Sequence, residues 1–213
     1  MQRRHFSLAA ASVGLLPLAS GVHAQGAFKA GTDYAVLDKR VPVDAPAGKV
    51  EVIEFFWYNC PHCNAFEPAL ESWVRKLPAH ISFRRVPVAF QPSFQPQQRL
   101  YYALEALGQV EAYQGKVFTA IHQQRQALTT DQQIIDWVAA NGIDKEKFVQ
   151  QFKSFTVATK IQKAKQLQDA YQVSGVPSIG IDGRFYVDGE LAKTMERALQ
   201  ITDQLASDAR KKG

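Results

Sequence analysis

Cysteine is almost missing from this chain: 213 residues carry two, Cys60 and Cys63. That excludes the multi-bridge framework of small secreted domains and a four-cysteine zinc site. Internal repeats, Gly/Ser linkers and blocks of like charge are also missing, which excludes solenoids, tethered modules and disordered tails. Net charge is +5, yet Arg3 and Arg4 lie at the extreme N-terminus and no later stretch gathers Lys or Arg on one face. Nucleic-acid binding is not expected.

Long apolar runs are equally scarce. Phe6 to Leu18 follows Arg3 and Arg4 and precedes Val22-His23-Ala24, and it falls short of the ~20 residues that a bilayer span needs. A basic start, a short apolar run and small residues before a cleavage point predict an export signal over residues 1–24, with a mature chain beginning near Gln25. An uncleaved anchor is the competing reading. Arg3-Arg4-His5-Phe6 partly resembles a twin-arginine signal but lacks the usual Leu-Lys continuation, which leaves the export route open. Disulfides persist in the compartments that exported proteins reach. A bridge between cysteines only three apart, however, closes a loop worth on the order of 2 kcal/mol, against ~4 to 5 for a long one. As a structural staple the pair is badly placed.

What the chain does have is core: 46% of residues are hydrophobic and 21% charged, enough for one or two domains. Val50 to Phe56 is β-branched and aromatic, which suits a strand buried on both faces. Phe66, Leu70, Trp73, Val74 and Leu77 then recur at helical spacing, with Pro61 in the first turn, Pro68 placed to kink the helix and Pro78 to stop it. Ile81 to Phe90 reads as a second strand, so strand, helix and strand form a βαβ unit with a parallel pair.

From Gln97 to about Tyr171 the periodicity is helical, with stripes such as Leu100-Tyr101-Leu104-Leu107, Val117-Phe118-Ile121 and Ile134-Ile135-Val138. Thr130 with Gln133 predicts a capping box, and Asn141-Gly142 a helix end. Ser178 to Ile181 and Arg184 to Val187, joined by Asp182-Gly183, predict a hairpin. A last amphipathic helix carries Met195, Ala198, Leu199, Ile201 and Leu205. The order is βαβ, helices, ββα.

Two thiols separated by two residues, where a strand hands over to a helix, are not equivalent. The first meets unpaired N–H groups and the positive end of the helix dipole, which favour thiolate over thiol. His62 can add positive charge or a hydrogen bond. Cys60 is therefore expected to be acidic and exposed, and Cys63 buried one turn inside. A stabilised thiolate stabilises the reduced protein and makes the disulfide a stronger oxidant; about 3 pKa units correspond to about 4 kcal/mol. Half of a zinc site and a plain structural bridge are the alternatives. Zinc usually wants four protein ligands, and only His62, His80 and His122 would remain in the mature chain.

Glu54-Phe55-Phe56-Trp57-Tyr58-Asn59-Cys60-Pro61-His62-Cys63 with Phe66-Glu67 resembles the active-site segment of the bacterial periplasmic disulfide oxidases of the DsbA family. Gly175-Val176-Pro177-Ser178 resembles that family's second motif, and the likeness spans residues 31 to 210. Asn64 in place of the common aromatic and Ser178 after the proline bear on client preference alone. The resemblance implies an α/β thioredoxin fold interrupted by a helical insertion domain: residues 25–92 and 172–213 for the thioredoxin-like part, 93–171 for the insert. It implies Cys60 as nucleophile, Cys63 as resolving partner, and Pro61 and His62 as the dipeptide that marks the oxidase branch. Pro177 would be a cis-proline against Cys60, with Val176 offering its backbone to an extended client strand.

Glu54, inside an apolar strand, is either an exposed edge residue or buried; the resemblance favours the family's buried acid, which helps move the proton of the inner thiol. Glu67 and Arg85 match a neighbouring charged cluster, but an ordinary ion pair explains them equally well. Phe56 reads as core, whereas Trp57 and Tyr58 are expected to offer apolar surface to unfolded clients. No metal or organic cofactor is expected. The implied partners are reduced, newly exported proteins and a membrane quinone reductase of the DsbB type. A disulfide isomerase or reductase is the rival within the same chemistry, and a non-catalytic metal- or peptide-binding module the rival outside it. Only about 25 mature residues precede the strand at Val50, too few for the dimerisation domain of known isomerases, so a monomer is expected.

Overall fold

The computed structural model describes residues 28–212; the expected signal segment, residues 1–24, lies outside them. Val50–Phe56 (β2) is buried along its whole length because it has a strand on either side. It runs parallel to Ile81–Pro87 (β3) and antiparallel to Ser178–Ile181 (β4). β4 turns back into Phe185–Asp188 (β5), and β5 pairs with the two-residue strand Ala35–Val36 (β1), giving the order β1-β5-β4-β2-β3.

Helix α1, Pro61–Val74, joins β2 to β3, so the βαβ unit stands as expected. It starts at Pro61 and keeps Pro68 inside it, but ends at Val74, three residues earlier than its apolar stripe suggests. β3 likewise stops at Pro87 and not at Phe90, where a short 3-10 turn, Pro92–Phe94, takes over. Five helices then intervene before β4: α2 (Gln95–Ala106), α3 (Val110–His122), α4 (Asp131–Ala140), α5 (Lys145–Phe152) and α6 (Phe155–Ala170). The capping box at Thr130 and Gln133 is present, with reciprocal bonds from side chain to backbone.

The β4–β5 hairpin turns at Asp182 and Gly183, both with positive φ (52° and 65°), as the primed two-residue turn requires. Arg184 belongs to the turn, and its N–H closes it onto the Ile181 carbonyl at 2.9 Å. Two elements escaped the sequence reading because they are too short to show a period: β1 and the single turn α7, Gly189–Ala192. The C-terminal helix α8 spans Met195–Lys212.

Side chains alternate across β2 and feed two cores. Ile53 and Phe55 join a cluster with Leu100, Leu104, Phe118, Ile134, Val138 and Phe148 of the helical segment. Val50 and Val52 join Phe66 and Leu70 of α1 with Ile201 and Leu205 of α8. The sheet thus divides two apolar layers, and the carboxyl end of β2 delivers the Cys-x-x-Cys segment at their border.

Candidate active site

The chain leaves β2 at Phe56 and turns through Trp57, Tyr58 and Asn59; the turn closes when Cys60 N–H donates to the Trp57 carbonyl at 3.0 Å. Cys60 is the N-cap of α1, in extended backbone conformation (φ −80°, ψ 118°), and Pro61 fills the first helical position, where its missing N–H is not needed. The Cys60 sulfur accepts from Cys63 N–H at 3.4 Å. Cys60 and Cys63 stand as free thiols.

Their environments differ sharply. Hydrogen bonding from the Cys63 thiol, then the backbone N–H groups of Cys63 and His62 and the His62 charge, overcome burial and push Cys60 down to about 6. Burial pushes Cys63 far upward, and the sulfur and carboxylate of Cys60 and Glu54 add to it. Cys60 is less open than expected, since only 7% of its surface is accessible. The loop before β4 covers it, with the Cys60 thiol donating to the Val176 carbonyl at 3.3 Å. The Val176–Pro177 peptide bond in that loop is cis. His62 contributes its backbone and its charge, and it borders an open cleft of about 580 Å³ together with residues 174–177, 188–190 and 193–195.

Glu54 is fully buried, not an exposed edge residue. It sits directly across from Arg85 in the parallel register of β2 and β3. Arg85 donates to Glu54 at 2.9 Å and to Glu67 of α1 at 2.6 Å, bridging two buried carboxylates. Each carboxylate keeps one oxygen without a partner. Burial raises both: Glu54 goes up against the opposing charge of Arg85, and Glu67 is pushed up to about 8, with Glu54 as its second cause. Glu67 can hold a proton at neutral pH, and the raised Glu54 carboxyl lies within electrostatic reach of Cys63.

One expectation fails. Tyr58 offers no surface to a client: it is wholly buried, edge-on against Phe56 and Phe118, and its hydroxyl donates to Gln114 at 2.6 Å. Large aromatic area beside a helical layer is core before it is surface. Trp57 stays partly accessible and stacks on Phe94 at 3.7 Å between ring centroids, nearly parallel. The sequence reading missed Phe94, Gln114 and His122, which come from elements remote in sequence; the one available signal was the four-residue spacing of Gln114 and His122 about Phe118. Among the described residues, no group of three or more His, Cys, Asp or Glu converges as metal ligands, and no helix is long and apolar enough to cross a membrane.

The chain is similar to known proteins. Residues 51–200 match the family described as the DSBA-like thioredoxin domain. The chain is 41% identical over 182 residues to the thiol:disulfide interchange protein DsbA of Burkholderia cepacia, covering 85% of this chain and 86% of that one. It is 40% identical over 206 residues to the protein of the same name from Bordetella pertussis, covering 96% of each. The crystal structure of Pseudomonas aeruginosa DsbA superposes with a TM-score of 0.82 at 39% identity, over 86% of this chain and 95% of the other. With a family match over residues 51–200 and relatives about 40% identical across most of both chains, the chain belongs to the DSBA-like thioredoxin family.

Proposed function

We propose that this thiol:disulfide oxidoreductase acts as an oxidase, donating its Cys60–Cys63 disulfide to reduced proteins newly exported to the periplasm. The observation that carries the direction is the inequality of the two sulfurs: Cys60, capping a helix N-terminus, is pushed down to about 6, and Cys63 is sealed in the core and pushed far upward. A good thiolate leaves easily and stabilises the reduced protein, so the disulfide form is the one that gives itself up; DsbA is itself the familiar case of this relation.

A client thiolate attacks the Cys60 sulfur, the S–S bond breaks, and its electron pair passes to Cys63, which takes up a proton. The raised Glu54 carboxyl is the proton source beside it, with Glu67 and Arg85 setting its charge. The client's second thiolate then attacks the client sulfur of the mixed disulfide, and Cys60 departs as thiolate. Two electrons and two protons leave the client, which gains a disulfide. A membrane quinone reductase of the DsbB type reoxidises the pair.

An extended client segment would lie along the Val176 backbone, with cis-Pro177 beneath it and the Trp57–Phe94 pair as an apolar shelf. Residues 1–24 would be removed on export, residues 25–92 and 172–213 would form the thioredoxin-like part, and 93–171 the insert of a monomeric enzyme.

The test equilibrates the mature protein with glutathione buffers and titrates the Cys60 thiolate by its ultraviolet absorbance. A thiolate midpoint near 6, stoichiometric oxidation of a reduced unfolded client, loss of transfer in Cys60→Ser and, in Cys63→Ser, a persistent mixed disulfide of Cys60 with glutathione, formed by its attack on oxidised glutathione with release of one glutathione thiolate, are expected. A potential at or below about −270 mV, the range of a reducing thioredoxin, would overturn the oxidase reading.

A further inference from the structure

Tyr58 sits in the middle of the turn that delivers Cys60, and three side chains of α3 hold it from three directions. Gln114, Phe118 and His122 follow at intervals of four residues, so they form one stripe along the helix. Gln114 accepts from the Tyr58 hydroxyl at 2.6 Å, and Phe118 meets the Tyr58 ring edge-on at 5.3 Å between centroids. His122 Nε2 lies 2.8 Å from the Tyr58 carbonyl oxygen. A carbonyl only accepts, so Nε2 carries the hydrogen and donates it. The preceding carbonyl, that of Trp57, already accepts from Cys60 N–H. Two successive carbonyls of the turn are therefore tied, one to Cys60 and one to α3.

The N–H groups of His62 and Cys63 stabilise the Cys60 thiolate only while Cys60 keeps its N-cap geometry. Releasing the Tyr58 carbonyl lets the peptide planes of the turn rotate, and the donors around the sulfur lose part of their preorganisation. We infer that His122 is a positioning residue for the thiol–disulfide reaction: its hydrogen bond to the Tyr58 carbonyl fixes the Trp57–Cys60 turn, which keeps the N–H groups of α1 on the Cys60 sulfur and the disulfide oxidising. His122 touches neither sulfur and acts through Tyr58. The inference rests on the oxidase reading and gives the helical segment a chemical part in it, since α3 reaches the turn from outside the βαβ unit.

The experiment compares the full mature chain with His122→Phe and His122→Gln. Phe keeps an aromatic ring beside Phe118, whose centroid lies 6.1 Å from that of His122, but cannot donate; Gln keeps a donor. Each protein is equilibrated with glutathione and its Cys60 thiolate titrated. In His122→Phe the thiolate midpoint rises and the equilibrium constant for oxidising glutathione falls about fivefold, equivalent to about 1 kcal/mol and to one net hydrogen bond; His122→Gln recovers most of the loss. An unchanged equilibrium constant in His122→Phe, whatever its thermal stability, overturns the proposal, and so does an equal fall in both variants. Should Phe prevent folding, His122→Ala gives the same comparison against Gln. The wild-type potential tests the oxidase reading, while the ratio of variant to wild type tests His122, so the two failures are distinct.

Discussion

Two carboxylates, Glu54 and Glu67, share the guanidinium of Arg85 beneath the cysteine pair. Both are raised despite that partner, so burial outweighs the ion pairs and the cluster retains a proton near neutrality. Removing the cation leaves two buried acids uncompensated, a change that costs about 3 to 5 kcal/mol for a buried pair. The sign of the pH dependence follows from the raised pKa values. A carboxyl raised in the folded state favours folding below its unfolded value and loses that contribution as pH climbs through its folded value. Arg85→Met is therefore expected to lose those few kcal/mol at pH 7 and recover part of them near pH 5. Urea midpoints at the two pH values check this; equal losses at both would remove the carboxylates from the explanation.

The hairpin of β4 and β5 shows how an element can hinge on one atom. At Gly183, φ is +65° and an added Cβ would lie 2.1 Å from the Val41 carbonyl oxygen, while Val41 N–H donates back to the Gly183 carbonyl at 2.8 Å. Gly183→Ala must strain the left-handed turn and displace the main chain at Val41, a combined cost of about 2 to 4 kcal/mol. Denaturant titration is expected to show that loss. Asp182-Gly183 was legible in the sequence because turn chemistry is local. So were β2, the strand-to-helix handover at the cysteine pair and the last helix, whose apolar spacing is long enough to display a period. Tyr58 was misread for the opposite reason: nothing local says that α3, over fifty residues later, lays Gln114, Phe118 and His122 across it. Phe94 on Trp57 and β1 on β5 were hidden in the same way, as contacts decided by tertiary packing. The burial of Glu54 came from resemblance, and only the strand register supplied its physical partner, Arg85.

Across the whole molecule, the helical segment shares its apolar interior with the sheet: Phe55, Phe56, Tyr58 and Cys63 lie in one cluster with Leu104, Phe118, Ile134 and Phe148. A segment without a private core has little reason to melt separately. Variants retaining only Trp73 of α1 or only Trp137 of α4 are expected to report coincident unfolding midpoints; separated transitions would show an independently folding insert. The same two cores have a further consequence. The two cores are closed by packing, and both cysteines stand as free thiols, so the architecture depends on no permanent covalent tie. A supplier of disulfides built this way need not be its own first customer: it can reach its native shape before any has been made, and surrender the one it carries without losing that shape.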